Sequence, residues 1–374
     1  MSPSGRPKDE KGKLDLQQAI RSLGDLIQRS FIWLLVASFC AAAFMPHLGL
    51  QLQKTQLFEI HLGAMSIAAT TTTLMLSLLL FNAGLVTNFD EVRRIVGRPI
   101  MMLGGAIGNF IVPLTFVGGL SLLSQRWHDA DEWQQILAGL GFVAAMPIAG
   151  ASTAWTQASN GNMALSVGLV LVTTLISPFV TPLIILGAGA VTTGDYGEDL
   201  QELAAAGSMS FLGAWILAPT LLGILGGRLL GSERATAAKP LCKLANSGII
   251  LALNYANGSL SLPNVVAQPD GDFVAVMIAA AALLCAISFS TGFLFARLIG
   301  ADRNETVSLM FALGLSNSSA GLALASTAMP DHIGVMLTVI IYNLVQYFVA
   351  ALVDKYVFQG GPPKAQPAAP PPHA

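Results

Sequence analysis

Residues 273–296 read FVAVMIAAAALLCAISFSTGFLFA, a stretch without a single Asp, Glu, Lys or Arg. A helix needs roughly 20 apolar residues to cross the hydrocarbon core of a bilayer, and this stretch is long enough to do so. Within lipid the backbone must satisfy its own hydrogen bonds, which favours helices for such runs. Charged residues make up only 11% of the chain, and the mean hydropathy is +0.65. The sequence therefore predicts an all-α polytopic membrane protein.

Further apolar runs accompany this one and bring the predicted spans to ten. They are 31–50, 62–85, 99–124, 134–158, 163–190, 207–231, 241–260, 272–299, 306–328 and 332–357. If the N-terminus is cytoplasmic, all of the 19 Lys and Arg residues except Lys54 and Arg126 fall in cytoplasmic segments, as the positive-inside rule requires. We therefore predict a multi-pass protein of the cell membrane (inner or plasma membrane) with both termini in the cytoplasm.

Ten spans divide into two sets of five, and five is an odd number. The second set (207–357) therefore inserts in the opposite sense to the first (31–190), which predicts an inverted repeat. We expect a cytoplasmic segment at 1–30, a ten-helix membrane domain at 31–357, and a disordered tail rich in Pro and Ala at 358–374.

The fourth span of each half contains its densest polar cluster. Residues 147–160 read PIAGASTAWTQASN in the first half, and residues 314–321 read GLSNSSAG in the second. Pro and Gly weaken a helix, and the hydroxyl and amide side chains can bond the freed backbone groups or an ion. Helices interrupted at matching places in two halves are typical of a transporter's central site. The alternative is that these small residues serve only close packing between helices.

Other function classes find little support in the sequence. A net charge of −2 gives no basic surface for nucleic acid. Cys40, Cys242 and Cys285 lie far apart in apolar runs, which favours packing over metal binding. We expect neither an enzyme nor a cofactor, because the apolar runs contain no nucleophile–base pair or metal cluster. A membrane sensor that keeps this fold is an alternative, although the predicted head and tail are too short for a signalling domain.

Three motifs resemble those of the bile acid:sodium symporter family. The first comprises Asn82-Ala83-Gly84-Leu85, Phe89–Arg94 and Arg98-Pro99. The second is GNMALSV at residues 161–167, followed by Ser177-Pro178 and Thr181-Pro182. The third is GLSNS at residues 314–318, followed by Gly321-Leu322-Ala323. The resemblance extends over nearly the whole membrane region, about 31 to 357.

This resemblance implies ten helices in two inverted five-helix repeats. Spans four and nine are then broken helices that cross near the midplane in a core domain, and spans one, two, six and seven form a panel that moves against it. The resemblance also implies alternating-access transport of a small organic anion such as a bile acid, pantoate or pyruvate, usually driven by sodium. Na⁺ is thus the one candidate coupling ion, and the sequence does not predict the oligomeric state.

The sequence departs from the family pattern where sodium would bind. Ala312 aligns with a Glu that two sodium sites share, and Ser316 and Asn109 align with Gln residues. A dehydrated Na⁺ commonly needs a carboxylate to neutralise its charge in a low dielectric, and no acidic residue lies near the middle of a predicted span. We therefore expect degraded sodium sites, with weak ion binding at most. The candidate ion-binding residues are Ser152, Thr153, Ser166, Asn109 and Ser316.

An anion site does not depend on those carboxylates. The N-termini of broken half-helices point backbone N–H groups inward, and the helix dipole favours negative charge there. The candidate substrate-binding residues are Asn317, Ser316, Ser318, Thr153 and Asn343. Asn343 has an alternative role, because a buried amide in the middle of span ten can equally tie two helices together. The sequence thus predicts a secondary transporter of a small organic anion, with a sodium-independent facilitator or exchanger as the alternative.

Overall fold

The computed structural model describes residues 30–62, 65–87 and 99–358. The predicted cytoplasmic segment before Ser30, the motif residues Phe89–Arg94 with Arg98, and the predicted tail beyond Phe358 lie outside these ranges. The helices and strands are α1 Phe31–Phe44, α2 His47–Lys54, β1 Gln56–Leu62, β2 Met65–Thr70, α3 Thr71–Leu85, α4 Pro99–Ser121, α5 Ala130–Ala145, α6 Ala151–Ala158, α7 Met163–Gly189, α8 Asp195–Glu202, α9 Ser208–Leu212, α10 Ala218–Leu230, α11 Ser232–Ala267, α12 Gly271–Leu298, α13 Arg303–Gly314, α14 Ser318–Ala328 and α15 Ile333–Val353. Single turns of π-helix flank α9, and another extends α15 to Phe358.

Several of these helices can cross a membrane. By length and composition, five helical stretches of the described residues qualify: α4, α7, Met209–Leu230, α12 and Ile333–Phe358. A sixth candidate is the pair formed by α1 and α2, which are bent by 90° relative to each other. Pro46 lies at this bend, where its missing N–H and its ring prevent a continuous helix through the predicted span 31–50. The molecule is therefore a helical protein with several apolar spans.

The remaining predicted spans take forms that hydropathy alone does not distinguish. The fourth and ninth are each two helices separated by an extended break, α5 with α6 and α13 with α14. The seventh lies within α11, a helix of 36 residues that begins and ends beyond the predicted limits of 241–260. Polar residues lower the mean hydropathy of this helix, and several of them, among them Asn254 and Asn257, are buried.

The predicted second span, 62–85, is wrong in its first part. β1 and β2 pair as an antiparallel hairpin, and α3 begins only at Thr71. Thr70 Oγ1 accepts from the Thr73 N–H, and Thr73 Oγ1 accepts from the Thr70 N–H. The two side chains form a capping box that satisfies the first free donors of the helix and fixes where it starts.

Segments predicted to be external contact one another at one end of the molecule. Tyr196 Oη donates to Asp131 Oδ1 at 2.8 Å, and His332 Nε2 lies 3.2 Å from Asp199 Oδ2. Burial, followed by the neighbouring Asp131, raises the pKa of Tyr196, so the phenol stays protonated and acts as the donor. These contacts join the first turn of α5, helix α8 and the residue before α15, all of which the ten-span topology places at the outer end.

Segments predicted to be cytoplasmic contact one another at the other end. Ser159, after α6, is hydrogen-bonded to Asp354 at the end of α15. Arg303 Nη2 donates to the carbonyl oxygen of Phe358 at 3.0 Å. Phe358 was predicted as the first residue of the disordered tail, and this is wrong. Its ring is buried against Phe311, so it belongs to the last helix.

Helices α3 and α10 approach each other so closely that glycine is required. A Cβ atom at Gly223 would clash with the carbonyl oxygen of Phe81, and one at Gly84 would clash with the carbonyl oxygen of Thr220. Small residues at such a contact let two backbones approach and gain van der Waals energy where lipid offers no hydrophobic driving force.

We predict that Gly223→Ala destabilises the protein by about 1–3 kcal/mol, because the two backbones must separate to admit the methyl group. Thermal unfolding in detergent would measure the effect. Gly226→Ala on the same helix is the matched control, since its new Cβ would meet only side-chain atoms, of Leu85 at 3.3 Å and of Phe81 at 3.8 Å. Equal melting temperatures for the two variants would contradict the close backbone contact.

Candidate functional site

The breaks in spans four and nine lie against each other. Ala149 N–H donates to the carbonyl oxygen of Leu315, and Asn317 N–H donates to that of Pro147, both at 2.9 Å. Ile148 and Ser316 therefore face each other as an antiparallel β-bridge. Four backbone groups that the interrupted helices leave free are thus satisfied by the opposite break. The family resemblance implies that the two broken spans cross, and their two breaks are in contact here.

Side chains from neighbouring helices satisfy other backbone groups near the first break. Thr173 Oγ1 on α7 accepts from Ile148 N–H at 3.2 Å. Asn109 Nδ2 on α4 donates to the carbonyl oxygen of Met146 at 3.1 Å. A buried peptide group without a partner costs about 1–3 kcal/mol, so these side chains hold the extended segment in place.

Gln346 on α15 performs the same task at the second break, and the sequence analysis did not single it out. Its Oε1 accepts from Ser316 N–H at 3.0 Å, and its Nε2 lies 3.2 Å from the carbonyl oxygen of Ser316. Nε2 also lies 3.0 Å from Ser318 Oγ and 3.0 Å from Asn343 Oδ1. A second amide one turn after Asn343 in a hydrophobic span was the signal that could have identified it.

The candidate substrate residues divide into two groups. Ser316, Ser318 and Asn343 are brought together through Gln346. Asn317 is the N-cap of α14, and its Oδ1 accepts from the Ala320 N–H at 3.3 Å. Thr153 lies outside this network and donates to the carbonyl oxygen of Gly150, at the start of its own helix, at 2.7 Å.

Asn343 also makes the contact between helices that was the alternative for it. Its Nδ2 donates to Asn254 Oδ1 on α11 at 2.8 Å. Both side chains are buried. The hydrogen-bonded network of the second break therefore extends from α13 and α14 through α15 to α11.

The candidate ion residues present oxygen atoms at the first break. Ser152 is fully buried, and its Oγ has no hydrogen-bond partner among the described residues. Asn109 Oδ1 is likewise buried, and no described residue pairs with it. Ser166 Oγ is bonded to Thr156 Oγ1 at 3.2 Å, and Thr156 lies one turn after Ser152 on α6. Two unused neutral oxygens thus flank the break.

Ala312 lies in apolar surroundings. Its side chain is fully buried in a cluster that contains Ile148, Leu165 and Leu169. Two acidic side chains that are buried in the described residues, Glu305 and Asp354, lie at the predicted cytoplasmic end instead. A cation near Ala312 would therefore have neutral oxygens but no carboxylate from the cluster around it.

The crossing presents partial positive charge from two helices. Both α6 and α14 begin immediately after a break, so the positive ends of their dipoles are directed toward the crossing. Several N–H groups there bond within the first turn, as those of Ser152 and Ser318 do. Asn317 contributes an amide at one of these N-termini. Neutral donors and helix dipoles of this kind suit a carboxylate or another small anion.

A sequence model of the sodium bile acid symporter family matches residues 73–268, more than half of the chain. The chain belongs to this family. The resemblance drawn from the three motifs is thereby confirmed, and the protein is a membrane transporter by family. The match covers spans two to seven, including the first break.

Several curated proteins are similar to this chain, and two of the following three are named as sodium-dependent or sodium/metabolite transporters. YbaS of Bacillus subtilis (strain 168) is 27% identical over 278 residues, which cover 73% of this chain and 83% of YbaS. The sodium-dependent transporter YocS of the same organism is 27% identical over 264 residues, 68% of this chain and 73% of YocS. The probable sodium/metabolite cotransporter BASS1, chloroplastic, of Arabidopsis thaliana is 23% identical over 270 residues, 72% of this chain and 61% of BASS1.

We predict that Gln346→Leu destabilises the protein by about 1–3 kcal/mol, because it leaves the Ser316 N–H and Asn343 Oδ1 buried without the partners that Gln346 provides. Thermal unfolding and the yield of monodisperse protein would measure this. Thr338→Val on the same helix is the matched control, since the buried Thr338 hydroxyl contacts the carbonyl oxygen of Gly334 and Met277 Sδ but no group of either break. An unfolding temperature for Gln346→Leu equal to that of the control would refute the role of Gln346 at the break.

Proposed function

We propose that this protein is a secondary transporter that moves a small organic anion across the cell membrane by alternating access. The observation that carries the proposal is the hydrogen-bonded crossing of two broken helices at corresponding places in the two halves of the chain. Discontinuous helices that meet in this way form the central site of many secondary transporters. Family membership supports the same conclusion.

The proposal includes ten membrane crossings in two inverted repeats, with both termini in the cytoplasm. The contacts at the two ends of the molecule support it, because loops predicted on the same side contact one another at each end. The proposal also includes a panel and a core. Spans one, two, six and seven pack together through contacts of α10 with α3 and of α11 with α1, α2 and α3.

We further propose that the anion binds at the crossing, on donors from α14 and α15. Ser316, Ser318, Asn343 and the N-cap Asn317 supply neutral polar groups, and the helix N-termini add partial positive charge. In the described conformation the Thr153 hydroxyl donates to the carbonyl oxygen of Gly150 at the start of its own helix. Thr153 can therefore contact the anion only after a rotation of α6.

Sodium coupling enters the proposal through the names of the relatives. YocS and BASS1 are named as sodium-dependent or sodium/metabolite transporters. In this chain the apolar cluster around Ala312 opposes tight cation binding, because desolvating Na⁺ without a carboxylate is unfavourable. We propose one weak sodium site at most, formed by Ser152, Asn109 and Ser166 with backbone carbonyls. The second candidate function, a sodium-independent facilitator or exchanger, is favoured by the same cluster.

The direct test is uptake of labelled carboxylates into vesicles that contain the purified protein. Pyruvate, pantoate and a bile acid would be compared with and without a sodium gradient. Uptake of a carboxylate above that of protein-free vesicles is the expected result. Absence of uptake and of exchange for every probe would refute the proposed transport of organic anions.

We predict that Asn317→Asp reduces anion uptake at least tenfold, with the folded protein retained. The new carboxylate keeps an oxygen that can cap α14. It replaces the amide donor with a negative charge that repels the substrate. Each lost hydrogen bond to an anion costs about 1.5–3 kcal/mol of binding free energy. Asn162→Asp is the matched control, because Asn162 caps α7 with the same side-chain oxygen. Asp already caps α5, α12 and α13. Equal uptake by the two variants would remove Asn317 from the anion site.

We predict that no more than one Na⁺ accompanies each substrate and that its affinity is low. Substrate-dependent entry of labelled sodium into vesicles measures the stoichiometry. Ala312→Glu would place a carboxylate in the cluster and is expected either to strengthen the sodium response or to impair folding as an unpaired buried charge. Tight binding of two sodium ions per substrate by the unaltered protein would contradict both the assignment of Ala312 and the proposed weak site.

A further inference from the structure

Two buried amides of α11 carry hydrogen-bond donors that have no partner. Asn254 and Asn257 lie one turn apart on the same face of the helix, and both side chains are at most 1% exposed. Asn254 Oδ1 accepts from Asn343 Nδ2, and Asn257 Oδ1 accepts from Gln53 Nε2. In the part of the chain that the structure describes, neither Nδ2 atom has a hydrogen-bond partner.

The orientation of the Asn254 amide follows from the backbone of the second break. A peptide N–H can only donate and a peptide carbonyl can only accept, so the two bonds to Ser316 fix which end of the Gln346 amide is nitrogen. Gln346 Nε2 then donates to Asn343 Oδ1, which leaves Asn343 Nδ2 to donate to Asn254 Oδ1. The chain of three amides therefore has one direction, and its last N–H group, on Asn254, is the unused donor.

We propose that Asn254 is a substrate-binding residue, whose Nδ2 donates to a carboxylate oxygen of the transported anion; this inference rests on the proposed function. An unused donor calls for a ligand that only accepts, and an ionised carboxylate is such a group. Asn257 places a second unused donor one turn away. The two unused amide donors of α11 thus add to the donors that α14 and α15 contribute to the proposed anion site.

The position of Asn254 gives this contact a consequence for the transport cycle. Asn254 belongs to the proposed panel and Asn343 to the proposed core, so a ligand that bonds Asn254 connects the two. In the described conformation the Nδ2 atom is enclosed without a partner, which makes this conformation less favourable when no ligand is bound. A carboxylate bound between the helices removes that cost, and a ligand shifts a conformational equilibrium by its differential affinity for the two states. The bound anion therefore favours the conformation in which α11 and α15 lie together.

The test compares Asn254→Asp with Asn246→Asp in the purified full-length protein. The first change keeps the oxygen that accepts from Asn343 and replaces only the unused donor by an anionic oxygen. Asn246, on the same helix, accepts from Asn82 Nδ2 at 2.8 Å in the same way, but it is only half-buried. Dissociation constants for pyruvate, pantoate and a bile acid, each beside its uncharged amide, would be measured by the shift of the unfolding temperature with probe concentration.

We expect the carboxylate that binds the unaltered protein best to bind Asn254→Asp at least tenfold more weakly, and Asn246→Asp with little change. Asn254→Ala adds no charge and should show the same direction, which decides the matter if Asn254→Asp does not fold. Unchanged carboxylate affinity in Asn254→Ala would overturn the assignment of Asn254 as a substrate-binding residue, but the proposed function of anion transport would still stand. Failure of every carboxylate to bind the unaltered protein would instead overturn the proposed function, and this inference with it.

Discussion

The structure depends on one constraint: peptide groups exposed by a broken helix in apolar surroundings must find hydrogen-bond partners. Each group left alone costs about 1–3 kcal/mol, and two breaks expose several of them. Pairing the breaks as an antiparallel bridge satisfies four groups at once. Asn109, Thr173 and Gln346 satisfy further groups from three surrounding helices. The positions of α4, α7 and α15 around the crossing follow from this requirement.

The same solution builds a polar site without acidic or basic side chains. Ending a helix and starting another at one point directs the N-termini of α6 and α14 toward the crossing. Gln346 links the second break to Asn343 by a hydrogen bond, and Asn343 in turn donates to Asn254 of α11. A neutral hydrogen bond contributes only about 0.5–1.5 kcal/mol net, so the proposed panel can separate from the core without a large barrier from this contact.

The sequence predicted the broken spans well, because Pro, Gly and small polar residues occur at matching positions in two otherwise apolar halves. It predicted the helical character of the other spans from apolar length alone. It did not predict the hairpin before Thr71, since strands and helices of apolar residues have similar composition when the run is short. Gln346 and Asn254 were missed for a different reason. A single amide in an apolar span signals a polar role, but its partner is set by tertiary contacts that have no local pattern.

The number of sodium ions decides which direction of anion transport the membrane potential favours. Moving one elementary charge across 100 mV is worth about 2.3 kcal/mol, so a monoanion that enters alone moves against an inside-negative potential. One accompanying Na⁺ makes entry electrically neutral, and two make the potential a driving force. With Ala312 in an apolar cluster, the proposed site holds at most one such ion. With one Na⁺ in the proposed site the membrane potential would contribute nothing to uptake, and with none it would oppose uptake. The proposed site therefore suits an electroneutral symporter, an exchanger or a carrier that operates outward.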